Sequence, residues 1–431
     1  MKLFQQILVA GASLGLLVPI AAQASDIVNL DEINSYSRST KRKSSRLDSN
    51  TFTNKVSEDI ATLETKQNVF EAGTFSSTTT MDGKVVAWIG AIDGISDVDD
   101  NEDGQNDDEP RDQFATGYTF TMNLNTSFTG DDNLYMRLKG GETGDQWKVK
   151  PTSYHIETKD TGDAFNVDKI WYSFPIGDNI TVFAGGRIEN YYMYVTPSIY
   201  KPGALKALKL GGNSNFGAST DVGFGIKYEA DNGFAVASNV VDKNADAANG
   251  GFFQDNSVNK WDTQLAYTKD RYHLSLTVSN SQGWTSQSYN ATALGENTAT
   301  DSLGYAYRLY WMPEETGTLV PEITLGYDTK FWDDAAAGTV DEAESWMVGL
   351  TWKDIIQADD RIGLGLTQPM KAVSFNGGGT PNEVDPLLWE VYYSWKVNDS
   401  MSVTPAVFGG KNSWQTEDDT FGAVVTTAFK F

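Results

Sequence analysis

Between Tyr118 and Gly141 the chain reads YTFTMNLNTSF, then TGDDN, then LYMRLKGG. In the first arm Tyr118, Phe120, Met122 and Leu124 alternate with Thr119, Thr121, Asn123 and Asn125. In the second, Leu134, Met136 and Leu138 alternate with Tyr135, Arg137 and Lys139. A period of two sends successive side chains to opposite faces of a strand. Asp131, Asp132 and Asn133 supply turn chemistry between the arms, so the stretch reads as an antiparallel hairpin. One of its faces is apolar, the other polar and charged. In a soluble sheet the apolar face meets a core; in an outer-membrane barrel it meets lipid and the polar face lines water.

The rest of the chain chooses the second option. Segments of the same kind start near Thr78, Thr116, Leu134, Val167, Thr181, Asp221, Gly233 and Asn259, and resume near Tyr272, Ser302, Leu319, Ser345, Arg361, Leu387, Met401 and Phe421. Their connectors alternate in length. Short ones (131–133, 177–179, 230–232, 269–270, 314–317, 356–360 and 398–400) are separated by long ones such as 91–114, 143–166, 190–219, 242–258 and 284–301. Short turns at one end and longer loops at the other are the pattern of an outer-membrane barrel. After the first 24 residues no apolar run reaches the roughly 20 residues a spanning helix needs. The chain ends on FGAVVTTAFKF, which suits a closing strand. The expected fold is therefore all-β: a transmembrane antiparallel outer-membrane β-barrel of about 16 strands over 76–431, with a short helix before it.

The segment 1–24 has Lys2, an apolar stretch from Ile7 to Ala21 and Ala22-Gln23-Ala24, the parts of a cleaved signal peptide. Residues 25–75 read as a polar, Ser-rich periplasmic arm. It closes on one amphipathic helix, where Val56, Ile60, Leu63 and Val69 recur at near-helical spacing. The 431 residues include no cysteine and two histidines, which removes disulfides, thiolate metal sites and a His-rich centre. A formal net charge of -25 argues against a nucleic-acid partner, which demands a basic surface. No H-E-x-x-H or P-loop occurs, so an enzyme is not expected.

If the apolar parity faces lipid, the other parity lines the lumen. That set includes Arg137, Lys139, Lys169, Arg187, Lys227, Arg308, Lys330, Lys353 and Lys396, against Glu189, Glu322, Asp328 and Glu390. The wall thus reads as basic in an acidic protein, an arrangement that favours anions or oxygen-rich solutes. Arginine on the lipid face at mid-membrane costs roughly 2–4 kcal/mol, so Arg137 and Arg308 are expected inward, beside the solute path. Trp311, Trp346, Trp352, Trp389, Tyr393, Trp395 and Phe429 share the lipid parity and are expected outward. In the third long loop, Gly203–Leu210 reads as a helical turn or two, and inward folding would place Lys201, Lys206 and Lys209 in a constriction; the alternative leaves them at the outer rim. In the first long loop Asp99, Asn101, Asp103, Gly104 and Asp107 follow a calcium-loop spacing. Position twelve is Pro110 rather than glutamate, and the same stretch also reads as a solvated acidic loop.

Several segments in order along 75–431 resemble the carbohydrate-selective (OprB-type) porin family, especially its cyanobacterial branch, often described as iron-uptake porins. They are FSSTTTMDGKV (75–85), LNTSFTGDDNLYMRLKGGE (124–142), VDKIWYSFPIGDNITVFAGG (167–186), GFGIKYEADNGF (223–234), VNDSMSVTPAVF (397–408) and VVTTAFKF (424–431). The opening MKLFQQILVA is similar too. The resemblance implies a 16-stranded pore passing small hydrophilic solutes passively (ions, iron species, small sugars), in outer-membrane lipid and as a homotrimer, without a required cofactor. One departure is the space from Ser25 to Phe75, too short for the S-layer-homology module of long members. The rival reading is a structural barrel linking envelope layers.

Overall fold

The computed structural model describes residues 78–93, 114–143, 157, 159–212, 215, 220–243, 251–252, 254, 257–283, 301–378, 387–411 and 419–431. The signal peptide, arm and helix expected within 1–75, and Asp99, Asn101, Asp103 and Asp107, lie outside them. The strands are β1 (Thr79–Asp93), β2 (Ala115–Thr126), β3 (Asn133–Glu142), β4 (Asn166–Ile176), β5 (Ile180–Ile188), β6 (Asp221–Glu229), β7 (Phe234–Asp242) and β8 (Asn259–Lys269). They continue as β9 (Tyr272–Gln282), β10 (Ser302–Trp311), β11 (Glu322–Phe331), β12 (Val340–Lys353), β13 (Arg361–Phe375), β14 (Leu388–Asn398), β15 (Met401–Lys411) and β16 (Asp419–Lys430).

Each strand pairs with its sequence neighbours and β16 pairs with β1, which closes a barrel of sixteen antiparallel strands. Closure removes the unpaired edge that lipid does not tolerate. It runs to the last residue: Gly83 N–H donates to the Phe431 carbonyl (2.9 Å) and Phe431 N–H donates back to Gly83 (3.1 Å).

The period of two is visible strand by strand. In β10, Ser302, Gly304, Ala306, Arg308 and Tyr310 are buried, while Leu303, Tyr305, Tyr307, Leu309 and Trp311 face out. In β8, Lys260, Asp262 and Gln264 are buried and Leu265 is 55% exposed. This inverts a soluble protein, polar groups inside and leucines outside, over far more apolar surface than a water-soluble monomer exposes. Trp311, Trp346, Trp352, Trp389 and Trp395 lie on the outward parity. Trp88 is turned inward instead, 2% exposed against Ile92, Phe408 and Val424.

The boundaries depart from the sequence reading mainly at β12, which begins at Val340 rather than near Ser345. Val340 and Ala343 pack with Trp332, Met370 and Phe375, so the β12–β13 hairpin stands higher than its neighbours.

Two of the short turns share one device. Asp132 accepts the Phe128 and Thr129 N–H groups, the Ser127 and Thr129 hydroxyls, and the Tyr172 hydroxyl of β4 (2.8 Å). Asp360 accepts the N–H groups of Ile355, Ile356 and Gln357 and the Tyr393 hydroxyl of β14. The donors around Asp132, led by the Thr129 hydroxyl, hold its carboxyl well below the usual range. A carboxyl depressed in the folded state adds stability above its unfolded pKa, about 3.9, which is lost as pH falls towards the folded value. For detergent-refolded protein we expect the urea midpoint to fall between about pH 6 and about pH 3. Asp132→Asn should start lower and lose part of that pH dependence; an unchanged pH profile in the variant would refute this account of the turn.

Candidate functional site: the inner loop and the charged wall

The connection from β5 to β6 does not stay outside. Within it, Asn190 donates to the Asn239 side chain of β7 (2.7 Å) and to the Lys260 carbonyl of β8 (3.1 Å). Tyr194 donates to Asp262, and Val195 exchanges hydrogen bonds with the Gln264 amide (2.9 and 3.2 Å). The segment then crosses to the opposite wall, where Glu390 of β14 receives it. The Tyr200 hydroxyl (2.8 Å) and the N–H groups of Gly203 (3.0 Å), Ala204 (3.0 Å) and Leu205 (2.7 Å) all donate to that carboxylate. On the return, Arg308 donates to the Leu210 carbonyl (2.9 Å), and Asn215 donates to Asp328 (3.2 Å) and to the carbonyls of Tyr305 and Thr329.

The wall makes room by omitting side chains. A Cβ on Gly326 would sit 1.8 Å from the Gly211 carbonyl oxygen, and one on Gly349 would meet the Tyr200 ring at 2.5 Å. Gly304 and Gly365 stand likewise against Asn215 and Leu208. All four are on the inward parity of β10 to β13, the one signal in the sequence that marks where a loop docks. A kinked 3-10 segment at Lys206–Gly211, with Lys209 and Leu210 off helical geometry, sorts the loop's own faces. Three residues per turn put i and i+3 on one side. Leu205 and Leu208 are fully buried with Tyr392 and Phe408, while Lys206 and Lys209 turn the other way.

These contacts place the sequence candidates in three groups. Arg137, Lys139 and Lys169 stand on the inward face of β3 and β4. Arg137 donates to Asn123 (2.9 Å) and to the Tyr192 hydroxyl (3.0 Å). Lys169 is ion-paired with Glu189, and its ammonium lies 5.2 Å over the Tyr192 ring. Lys206 and Lys209 belong with this group: Glu189 acts on both, Lys159 on Lys206, and Arg137 and Lys169 on Lys209. Lys201 sits apart, near Arg361, Lys353 and Lys430.

Arg308 and Glu390 form a second group that the sequence misjudged. Arg308 is 1% exposed, and its guanidinium grips Asp328 at 2.9 Å under the loop. It clamps the loop and does not border a solute path. Glu390 is a backbone acceptor for the same reason. Lys330 is buried over the Trp332 ring (5.2 Å). Parity places such residues inside but cannot tell open wall from docking surface.

Arg187 is the third case and a correction. Register shifts at Ile170/Trp171 and Gly185/Ile188 insert Gly186 as an extra residue, so Ile188 points in and Arg187 pairs with Ile170 on the outward parity. Arg187 is exposed and does not line the interior. A bulge reverses every later side chain in its strand.

His273 stacks on Tyr310 with two hydroxyls, those of Thr268 and Ser275, on its ring nitrogens.

No family model matches the chain. It is similar to an uncharacterized protein of Synechocystis sp., 23% identical over 381 residues, covering 80% of this chain and 67% of that protein. A second, from Nostoc sp., is 24% identical over 416 residues, covering 86% and 68%. Among solved structures, the high-pH structure of Pseudomonas putida OprB superposes with a TM-score of 0.59 at 13% identity, covering 85% of this chain and 96% of that one. The anion-selective porin from Comamonas acidovorans gives 0.52 at 11% identity (83% and 100%). A loop-deletion mutant of Vibrio cholerae OmpT gives 0.51 at 10% (82% and 99%). At these identities the likeness is one of fold: a sixteen-strand barrel of the porin type.

The anchoring by Glu390 is testable. Glu390→Gln removes the charge from four charge-assisted contacts, and Gly326→Val drives a side chain into the loop backbone. Each should release the loop while the barrel stays closed, at a cost of roughly 2–5 kcal/mol. Trypsin should then cut after Lys206 or Lys209 in both variants and not in the parent. Equal resistance in all three would show that the anchor is dispensable.

Proposed function

We propose that this chain is an outer-membrane porin of the OprB type, exported by cleavage after Ala24. It passes small hydrophilic solutes passively through a water-filled barrel and assembles as a homotrimer in outer-membrane lipid. The observation that carries the reading is the inverted barrel: apolar side chains on the outer parity of the strands, polar and charged ones within, and an inner loop docked against one wall. A structural barrel has no need of a second charged wall at β1 to β4 facing a basic loop. Inorganic ions are the first solutes to expect, small sugars and iron species the next.

Insertion into a planar lipid bilayer tests this. Purified protein should give discrete, ohmic current steps in KCl whose size grows with salt concentration. A protein that inserts, by protease protection in vesicles, yet carries no current would be a sealed structural barrel, and the porin reading would fall.

A further inference from the structure

Seven cations gather where the inner loop faces β1 to β5: Lys84, Arg137, Lys139, Lys159, Lys169, Lys206 and Lys209. Three of them are matched. Lys84 pairs with Glu157 (2.6 Å), Lys159 with Asp168 (3.8 Å), and Lys169 with Glu189 and Asp168. Glu189 also accepts the Tyr191 hydroxyl, on the same Oε2 that pairs with Lys169. Asp82 reaches Arg137 only through the Asn123 amide. Among the described residues no ion pair involves Arg137, Lys139, Lys206 or Lys209. The loop cannot supply one, because 190–219 contains three lysines and no aspartate or glutamate.

Aromatic rings fix part of this set in place. Tyr135 stacks on Trp171 (4.9 Å) and Tyr191 on Tyr192 (4.6 Å), with Trp171 and Tyr192 in contact at 6.1 Å. Arg137 lies 5.4 Å over Tyr135, Lys169 5.2 Å over Tyr192, and Lys209 5.3 Å over Tyr191. In a wall built for sugar stacking, ring faces are open to the solute. Here they are taken up by one another and by cations, so the rings position charge.

We propose that Arg137, Lys139, Lys206 and Lys209 form a binding station for small multivalent oxyanions of the phosphate class. This rests on the porin reading and names the solute that the same lumen selects. A guanidinium offers a planar fork to two oxygens, and each ammonium adds a point charge. A dianion with several acceptor oxygens satisfies such a set; chloride, with one charge and no directional acceptors, does so less well. Burial holds the Lys206 ammonium below its ordinary pKa, and the neighbouring charge of Lys209 lowers it further. Like charges held this close gain most from an anion between them. The carboxylates that act on this set from nearby, Glu157, Asp168 and Glu189, each already hold another lysine, Lys84, Lys159 and Lys169.

The test uses full-length protein in planar bilayers near neutral pH. The reversal potential under a KCl gradient should show anion preference, and inorganic phosphate added to KCl should reduce the chloride current in a saturable way. Lys206→Gln/Lys209→Gln should raise the half-blocking phosphate concentration by about tenfold or more. Lys206→Arg/Lys209→Arg should restore the block, and Lys269→Gln, at a short turn, should leave it unchanged. A channel that prefers cations, or one that phosphate blocks equally in parent and double Gln variant, would overturn this inference and leave the porin reading standing. Absence of any channel current would overturn both.

Discussion

A backbone segment led off the sheet and through the middle of a barrel leaves its ladder partners behind. Each buried N–H left unpaired costs about 1–3 kcal/mol, so a loop crosses the interior only where the wall supplies acceptors. Glu390 is the largest single supply here, one carboxylate taking three consecutive loop N–H groups and a tyrosine hydroxyl. Its own burial is tolerable because those four donors replace the water it gave up. The rest of the interior follows from that choice. Arg308, Asp328, Asn215, Asn190 and Gln264 hold the loop's two limbs against β7 to β11. The charged face of the loop is thereby turned towards β3 to β5.

The same logic explains what the chain disclosed and what it withheld. Alternation and connector length carry strand number, face and end, because lipid on one side and water on the other forbid a slip of one residue. β9 and β10 therefore begin where the pattern says, at Tyr272 and Ser302. Local insertions escape such a reading: Gly186 looks like any strand glycine, yet it turns Arg187 outward. Depth escapes it too. Arg137 and Arg308 have the same parity and similar neighbours, but one meets a tyrosine hydroxyl beside the charged wall and the other is sealed onto Asp328. That difference depends on the path of the loop, which contacts between 49 and 190 residues apart in sequence determine. The inward glycines of β10 to β13 were the available clue, since glycine inside a strand marks a close backbone approach.

Net charge and lumen charge have opposite signs in this molecule, and the separation has a physical use. The acidic excess is written largely into connectors such as DVDDNEDGQNDDEPRD (97–112), whereas the interior loop is purely basic. Fields from solvated loops decay within a Debye length of about 8–10 Å at physiological ionic strength. Fields from half-buried cations within a low-dielectric wall are screened far less. On the proposed reading, an anion inside the barrel is governed by Arg137, Lys139, Lys206 and Lys209 rather than by the -25 of the whole chain. Where the loop's lysines stand is set in turn by the wall on which Glu390 makes the loop lean.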